Sequence, residues 1–355
     1  SVACDNLGTR IIIGAPKNDN TFRQKTGGYA KVFEYRQVTR SEWDTHNRDL
    51  YTNDSKVLIR GIYQEWSPNA YYWIQVGDAL YDSRIPALNN SNSATNTADY
   101  RNYFGYSVGI NQDGSRVIVG AYKYGAGFSS TSGPGHPGVN ATGQPSGGAL
   151  VYDFDGTSWS QIGGDILGEA GSDSLGISVS INAGGDRIAV GADTNDSPLI
   201  PNVSNSGMAR IFEYRLVSQL EWDTYNTSDQ KSSTGFPIII SNGDTERDIS
   251  KKYFIQLEED LQGETVNGYF GRSVSLDCDG KTLAIGSYGN NEAEAYFIRD
   301  FTAAPTPNPT PSPTPTPTLT DQLGQDIEES EDVDFGLSVA VSSNGSIMAI
   351  GARLS

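Results

Sequence analysis

Short apolar runs recur along the chain, each preceded by an alternating segment and a glycine-bearing turn. The clearest instance is Phe104-Gly-Tyr-Ser-Val-Gly-Ile-Asn-Gln-Asp-Gly-Ser-Arg-Val-Ile-Val-Gly-Ala121. It recurs as Leu175 to Ala192, Phe270 to Ser287 and Phe335 to Ala352, and without its Phe-Gly lead as Ser1 to Ala15. Each copy predicts a β-hairpin. Alternation from Ser-Val gives a first strand, Asp113-Gly114 or Asn344-Gly345 the turn, and Ile11-Ile12-Ile13 or Arg187-Ile-Ala-Val190 the second strand. The turn glycines supply a positive φ at little cost. The second strand ends at Gly-Ala or Gly-Ser, where a small residue lets a neighbouring backbone approach closely.

Two further strand signals separate successive hairpins. A third strand is predicted by the alternating aromatic runs Gly28 to Tyr35, Gly148 to Phe154, Gly207 to Tyr214 and Glu294 to Arg299. A fourth is predicted by an aromatic followed by Gln and an apolar stretch, at Trp73, Trp159 and Phe254, with Thr320 replacing the aromatic before Gln322. A four-stranded unit cannot bury a two-sided apolar face alone, whereas radial repetition buries it between neighbours. The expected fold is therefore all-β: a single β-propeller over 1–355 of four-stranded antiparallel blades. Four repeats are complete (about 1–103, 104–174, 175–269 and 270–334) and a fifth, 335–355, is partial. Either flanking residues complete a larger ring or another copy of the chain does. The fifth hairpin is expected to end in an unpaired or donated edge. Ser1 is not an initiator methionine and no charged, then apolar, leader precedes it, which predicts a processed or excised chain.

Composition agrees with strands and turns: 40 Gly, 10% aromatic and only 19% charged residues. The net charge of -18 repels a phosphate backbone and no basic stripe offsets it, so nucleic acid is excluded as a partner. No apolar run is long enough for a membrane-spanning helix. Cys4 and Cys278 are too few for a disulfide framework or a zinc site. Free thiols are the default for both, and a bridge between blades or chains stays open. His46 and His136 sit in loops, and no nucleophile, base or carboxylate dyad is spelled out, so an enzyme is not expected.

The hairpins resemble FG-GAP repeats, the units of integrin-α-like propellers, in a variant found in secreted algal and marine microbial proteins. Phe104-Gly105, Phe270-Gly271 and Phe335-Gly336 match one half of the motif; Gly14-Ala15-Pro16, Gly120-Ala121 and Gly351-Ala352 match the other. The resemblance implies a propeller but little about function. The family's calcium loop is not carried over, because the turns are shortened to Asn111-Gln-Asp-Gly114, Ala183-Gly-Gly-Asp186 and Ser342-Ser-Asn-Gly345. Asp277 and Asp279 alone form a carboxylate pair, a weak calcium candidate beside the plainer role of turn formation; no other cofactor is expected.

Similar insertions follow the third strands of the first and third units, Phe33 through Thr45 and Phe212 through Thr224. Their indoles, Trp43 and Trp222, either cap a blade edge or anchor another subunit. A Pro/Thr-rich spacer over 302–320 interrupts the fourth unit, and its alternating prolines favour extended polyproline II. It reads either as a flexible linker or as a glycan-coated rod, with O-glycosylation at Thr306, Thr310, Ser312, Thr314, Thr316 and Thr318. In algal or plant secretory systems the prolines Pro307, Pro309, Pro311, Pro313, Pro315 and Pro317 are further candidates once hydroxylated. N-glycosylation sequons fall at Asn53, Asn89, Asn140, Asn202 and Asn226 in long loops; those at Asn195 and Asn344 are discounted on local context. Together these features predict an extracellular or cell-surface glycoprotein with no catalytic site. It is either a building block of a filament, coat or appendage that associates with itself or other propeller subunits, or a ligand-binding adhesion or lectin-like propeller.

Overall fold

The computed structural model describes residues 1–17, 27–46, 57–58, 66–83, 102–125, 144–196, 203–225, 238–239, 246–257, 259–299, 320–329 and 333–353. Its first unit holds β1 (Val2–Cys4), β2 (Arg10–Ala15), β3 (Tyr29–Gln37), α1 (Arg40–His46), β4 (Val57–Leu58) and β5 (Tyr71–Gln75). The second holds β6 (Ser107–Ile110), β7 (Arg116–Ala121), β8 (Gly148–Phe154) and β9 (Trp159–Leu167). The third holds β10 (Ser178–Ile181), β11 (Arg187–Ala192), β12 (Met208–Leu216), α2 (Gln219–Tyr225), β13 (Ile238–Ile239), β14 (Lys252–Gln256) and β15 (Leu261–Gln262). The fourth holds β16 (Phe270–Leu276), β17 (Thr282–Ser287), β18 (Glu292–Ile298), β19 (Thr320–Gln322) and β20 (Ile327–Glu328), and β21 (Ser338–Val341) and β22 (Met348–Gly351) follow.

Each unit is an antiparallel sheet laid out in the expected order, as in β6-β7-β8-β9. The first and third sheets carry an additional outer strand, β4 or β13, which lies beyond each insertion and goes past the expected four strands. Among the described residues β21 and β22 form a two-stranded sheet, and β22 pairs with β21 alone. The first strands β1, β6, β10, β16 and β21 pack side by side in chain order.

Alternation along the central strands explains the stacking. Successive strand residues point to opposite faces. On β7, Val117 and Val119 enter a core shared with Ile12, Val32 and Leu80 of the first sheet, while Ile118 enters the next core with Ile188 and Val190. On β11, Ile188 and Val190 face the second sheet and Ala189 faces Leu283 and Ile285 of the fourth. The strands β7, β11 and β17 are covered on both faces, so they read as unbroken apolar runs and not as alternating ones.

The insertions contain short helices, a departure from an all-strand expectation. The cause is a reciprocal cap at each N-terminus. Thr39 Oγ1 accepts the Glu42 N–H while Glu42 Oε2 accepts the Thr39 N–H; Ser218 and Glu221 repeat the arrangement. Trp43 packs with Val38, Tyr72 and Ile74, and Trp222 with Val217, Ile238, Tyr253 and Ile255. The two indoles are 4% and 5% exposed. Buried in their own units, they leave no accessible face for a subunit contact, which corrects the interface role expected at Trp43 and Trp222.

Candidate functional site

The hairpin turns are closed by side chains capping backbone amides. Asn111 Oδ1 accepts the Arg116 N–H, Asn182 Oδ1 the Arg187 N–H, and Asp277 Oδ1 the amides of Lys281 and Thr282. Asp277 is buried and Asp279 is exposed beside it, so this pair is spread between a backbone cap and solvent. Among the described residues no group of three His, Cys, Asp or Glu side chains is placed to hold a metal ion. Cys4 and Cys278 are exposed free thiols. Asn195 is buried and Asn344 caps its own exposed turn. His136, the sequons Asn53, Asn89, Asn140, Asn202 and Asn226, and the tract from Thr306 to Thr318 lie outside the described residues.

What sequence inspection missed is how the repeated residues stitch one unit to the next. The serine of each Ser-Val pair donates its hydroxyl to the carbonyl of the next unit's Phe-Gly or Leu-Gly glycine: Ser1 to Gly105, Ser107 to Gly176, Ser178 to Gly271 and Ser273 to Gly336. The same carbonyls abut the glycine that ends the second strand. A Cβ on Gly14, Gly120, Gly191 or Gly286 would lie 2.0 to 2.2 Å from the oxygen of Gly105, Gly176, Gly271 or Gly336. That is the close backbone approach expected of the Gly-Ala dipeptides. Arg10, Arg116 and Arg187 add a second stitch, each donating to the turn glycine of the next unit, at Gly114, Gly185 and Gly280.

One register position in the third strand varies between units and sets each seam's electrostatics. It is Lys31 opposite Ile13, Leu150 opposite Val119, Arg210 opposite Val190 and Glu294 opposite Ile285. Arg210, 4% exposed, reaches across the second seam: it pairs with Glu169 at 2.5 Å and with Asp260 at 2.7 Å, and donates to the Leu167 carbonyl. Glu294 at the third seam meets acids instead. Burial first, and then the charges of Asp326, Glu292 and Glu264, push its carboxyl up to about 7 against a hydrogen bond from Tyr296. A raised carboxyl pKa contributes stability below the unfolded value of 4.5 that is lost as pH rises through 7. Glu294→Gln therefore gains on the wild type between those pH values, by on the order of 2 kcal/mol at pH 8. Denaturant titrations at pH 4 and pH 8 check this, and equal differences at the two pH values would refute it.

A cavity of about 540 Å³ opens between the segment 169–174, which leads into the third unit, and Thr194, Asn195, Asp196 and Asn205. Ser172, Ser174 and Asn205 hold it with positive φ. Asp173 is buried there; desolvation raises its carboxyl pKa against hydrogen bonds from the Ala170 amide and the Asn195 side chain. The Asn195 Oδ1 atom is buried with no hydrogen-bond partner.

No family model matches the chain, and no curated protein matches it. Three solved structures align over most of its length at low likeness. They are Kuenenia stuttgartiensis hydrazine synthase (12% identity, 100% of this chain and 82% of that one, TM-score 0.38) and the β-propeller domain of Myceliophteria thermophila Cps50 (Swd1) (10%, 99% and 78%, 0.37). The third is the periplasmic gluconolactonase PpgL of Pseudomonas aeruginosa (10%, 96% and 75%, 0.31). With TM-scores under 0.5, these likenesses carry no weight for fold or function.

Proposed function

We propose that this protein is an extracellular, glycosylated structural protein, the building block of a cell-surface filament, coat or appendage. Its sheets are blades of a β-propeller of FG-GAP-type repeats, four complete and a fifth partial. The observation that carries this is the stereotyped seam: one serine, one glycine and one Phe-Gly or Leu-Gly carbonyl meet at each of four junctions. The fifth hairpin repeats the same half-seam with Ser338 and Gly351, and among the described residues the atoms nearest to a Cβ on Gly351 all belong to Ser338. That surface is complementary to a further hairpin of the same pattern, supplied by flanking residues or by another copy, and association between copies supplies the mechanical role. The glycans expected at the sequons and on the proline tract coat the assembled surface.

Electron microscopy of protein from its native source tests this. Ordered polymers are expected, and recombinant Gly351→Leu, which fills the half-seam, should yield fewer associated particles without altering the melting of the single chain. Isolated monomers at every concentration, with Gly351→Leu identical to wild type in sedimentation, would overturn the proposal. The cavity between the second and third units favours a second reading, a ligand-binding propeller.

A further inference from the structure

Three repeat positions lie at one end of each sheet: the residue before Phe-Gly or Leu-Gly, the residue after it, and the residue after the Gly-Ala or Gly-Ser that ends the second strand. The second unit fills all three with tyrosine, Tyr103, Tyr106 and Tyr122, and the fourth places Tyr269, Arg272 and Tyr288 there. All six are half-buried. The first position is left-handed in four copies, at Tyr103 (φ 56°), Ser174 (62°), Tyr269 (56°) and Asp334 (42°). A small polar residue is at ease in that backbone and a bulky ring is an outlier, so two units place tyrosine there against local preference. Strain of this kind collects at ligand-binding surfaces.

The rings form one surface. Tyr122 packs against Tyr103 and Tyr106 with centroids 4.8 and 4.7 Å away, and Tyr269 stacks on Tyr288 at 4.8 Å. Arg272 joins the two groups: it lies over Tyr288 at 5.8 Å, and its charge acts on Tyr106 and Tyr122, two units away. Its Nη1 donates to Asp193 of the third unit, which neutralises the acid beside the rings. Lys123 stands over Tyr103 at 5.6 Å. The surface therefore combines flat apolar faces with O–H and N–H donors.

That combination suits a polyproline II segment, whose rings pack on aromatic faces and whose backbone carbonyls have no internal donors. The chain carries such a stretch in Pro305 to Thr318, where alternate prolines remove half the amide donors and leave every carbonyl. No charged side chain occurs from 301 to 319, so a second copy of net charge -18 meets no like charge within this stretch. With three residues per turn, Pro305, Asn308, Pro311, Thr314 and Pro317 share one face, and Thr306, Thr310, Ser312, Thr316 and Thr318 fall on the other two. Glycans on those five hydroxyls leave the first face open.

Tract and rings belong to opposite ends of the fourth unit. Residues 300–319 connect Ile298 to Thr320, which pair beside Lys281 at the turn end of β17. Tyr288 follows Ser287 at the other end, about 20 Å away along that strand. Anchored at both ends, the span 300–319 has a reach of about 30 Å, enough to cross onto a neighbouring molecule. A contact between opposite ends of like copies is heterologous and continues from copy to copy.

We propose that the tyrosine surface around Arg272 binds the Pro/Thr tract of a second copy of this chain in polyproline II form. This deepens the assembly reading above and rests on it for the neighbouring copy, through a contact distinct from the half-seam at Gly351.

The test is titration of the full chain with a dye-labelled synthetic peptide of residues 304–318, read by fluorescence anisotropy. Saturable binding is expected, and a peptide with alanine at every proline should not bind. Tyr122→Ala and Tyr288→Ala should each weaken binding about tenfold, the effect of truncating an interface anchor. Tyr71→Ala, at an exposed ring of the first unit, should leave it unchanged. The comparison of the two peptides on wild type stands even where a tyrosine variant fails to fold. No saturable binding, equal binding of the alanine peptide, or folded Tyr122→Ala and Tyr288→Ala that bind like wild type each overturns the proposal. A chain whose residues 305–318 are replaced by a Gly/Ser run should bind the peptide as wild type does; binding at least tenfold tighter would place the tract on its own tyrosines and overturn a contact between copies. Gly351→Leu should bind the peptide normally, so failure of the half-seam and failure of the tyrosine surface are told apart.

Discussion

Arg210→Leu destabilises the fold by about 3–5 kcal/mol, the range for removing one partner of a buried charge pair. The arginine is 4% exposed and bridges two units, with Glu169 on one side and Asp260 on the other. Removing it leaves Asp260 in a nearly dry seam with only the Gln256 amide as partner and deprives the Leu167 carbonyl of its donor. Leucine itself is not at fault, because Leu150 occupies the same register position in the second unit and is buried there. That unit satisfies Asp165 with the Tyr124 hydroxyl and Gln161 in place of an arginine. The double variant Arg210→Leu/Asp260→Asn removes the carboxylate left without its cation and should recover at least half the loss. Equilibrium denaturation of wild type, both single variants and the double variant forms a cycle that measures the coupling. An Arg210→Leu loss below 1 kcal/mol, or a double variant no better than Arg210→Leu, would show that this seam is not held by charge compensation.

Gly191→Ala is expected to cost about 1–3 kcal/mol, the usual penalty for forcing one extra carbon into a close-packed interior. Its new Cβ would lie 2.0 Å from the Gly271 carbonyl oxygen, and backbone cannot rotate aside as a side chain can. Relief requires the third and fourth sheets to move apart, which also strains the Ser178 hydroxyl bond to that carbonyl and loosens the core shared by Ala189, Phe270 and Leu283. Gly351→Ala is the control. It carries the same residue at the same repeat position, but among the described residues the atoms nearest to its Cβ are those of Ser338, whose hydroxyl is 2.3 Å away and free to turn. Melting of the isolated chain should hardly change in that variant. Should the two substitutions prove equally costly, strand propensity and not the seam would be the cause, and the stitch would lose its role.

Much of the architecture is legible in the amino-acid pattern. The hairpin at Phe104 to Ala121, the aromatic third strand from Gly148 and the Trp159 fourth strand all appear where period-2 patterning and turn glycines placed them. Helices α1 and α2 were signalled by Thr39-x-x-Glu42 and Ser218-x-x-Glu221. The capping boxes give a weak signal because seven-residue helices have too little periodicity to stand out beside strands. The role of the two tryptophans was ambiguous for another reason: an indole is equally at home as an interface anchor or a satellite core, and only the placement of Tyr72 and Tyr253 against the rings decides it.

The chain alone fixed the repeat, the strand order and the turns, because each depends on residues close in sequence whose backbone preferences act locally. The tertiary structure decided what crosses a seam. That Ser178 bonds to Gly271 and that Arg210 joins Glu169 to Asp260 are facts about residues tens of positions apart. Their meeting is set by how one twisted sheet lies on the next, and no spacing rule along a single strand encodes that angle. The same four-stranded pattern therefore carries a lysine, a leucine, an arginine or a glutamate at one position, and only the neighbouring sheet determines whether that residue stabilises, strains or opens the junction.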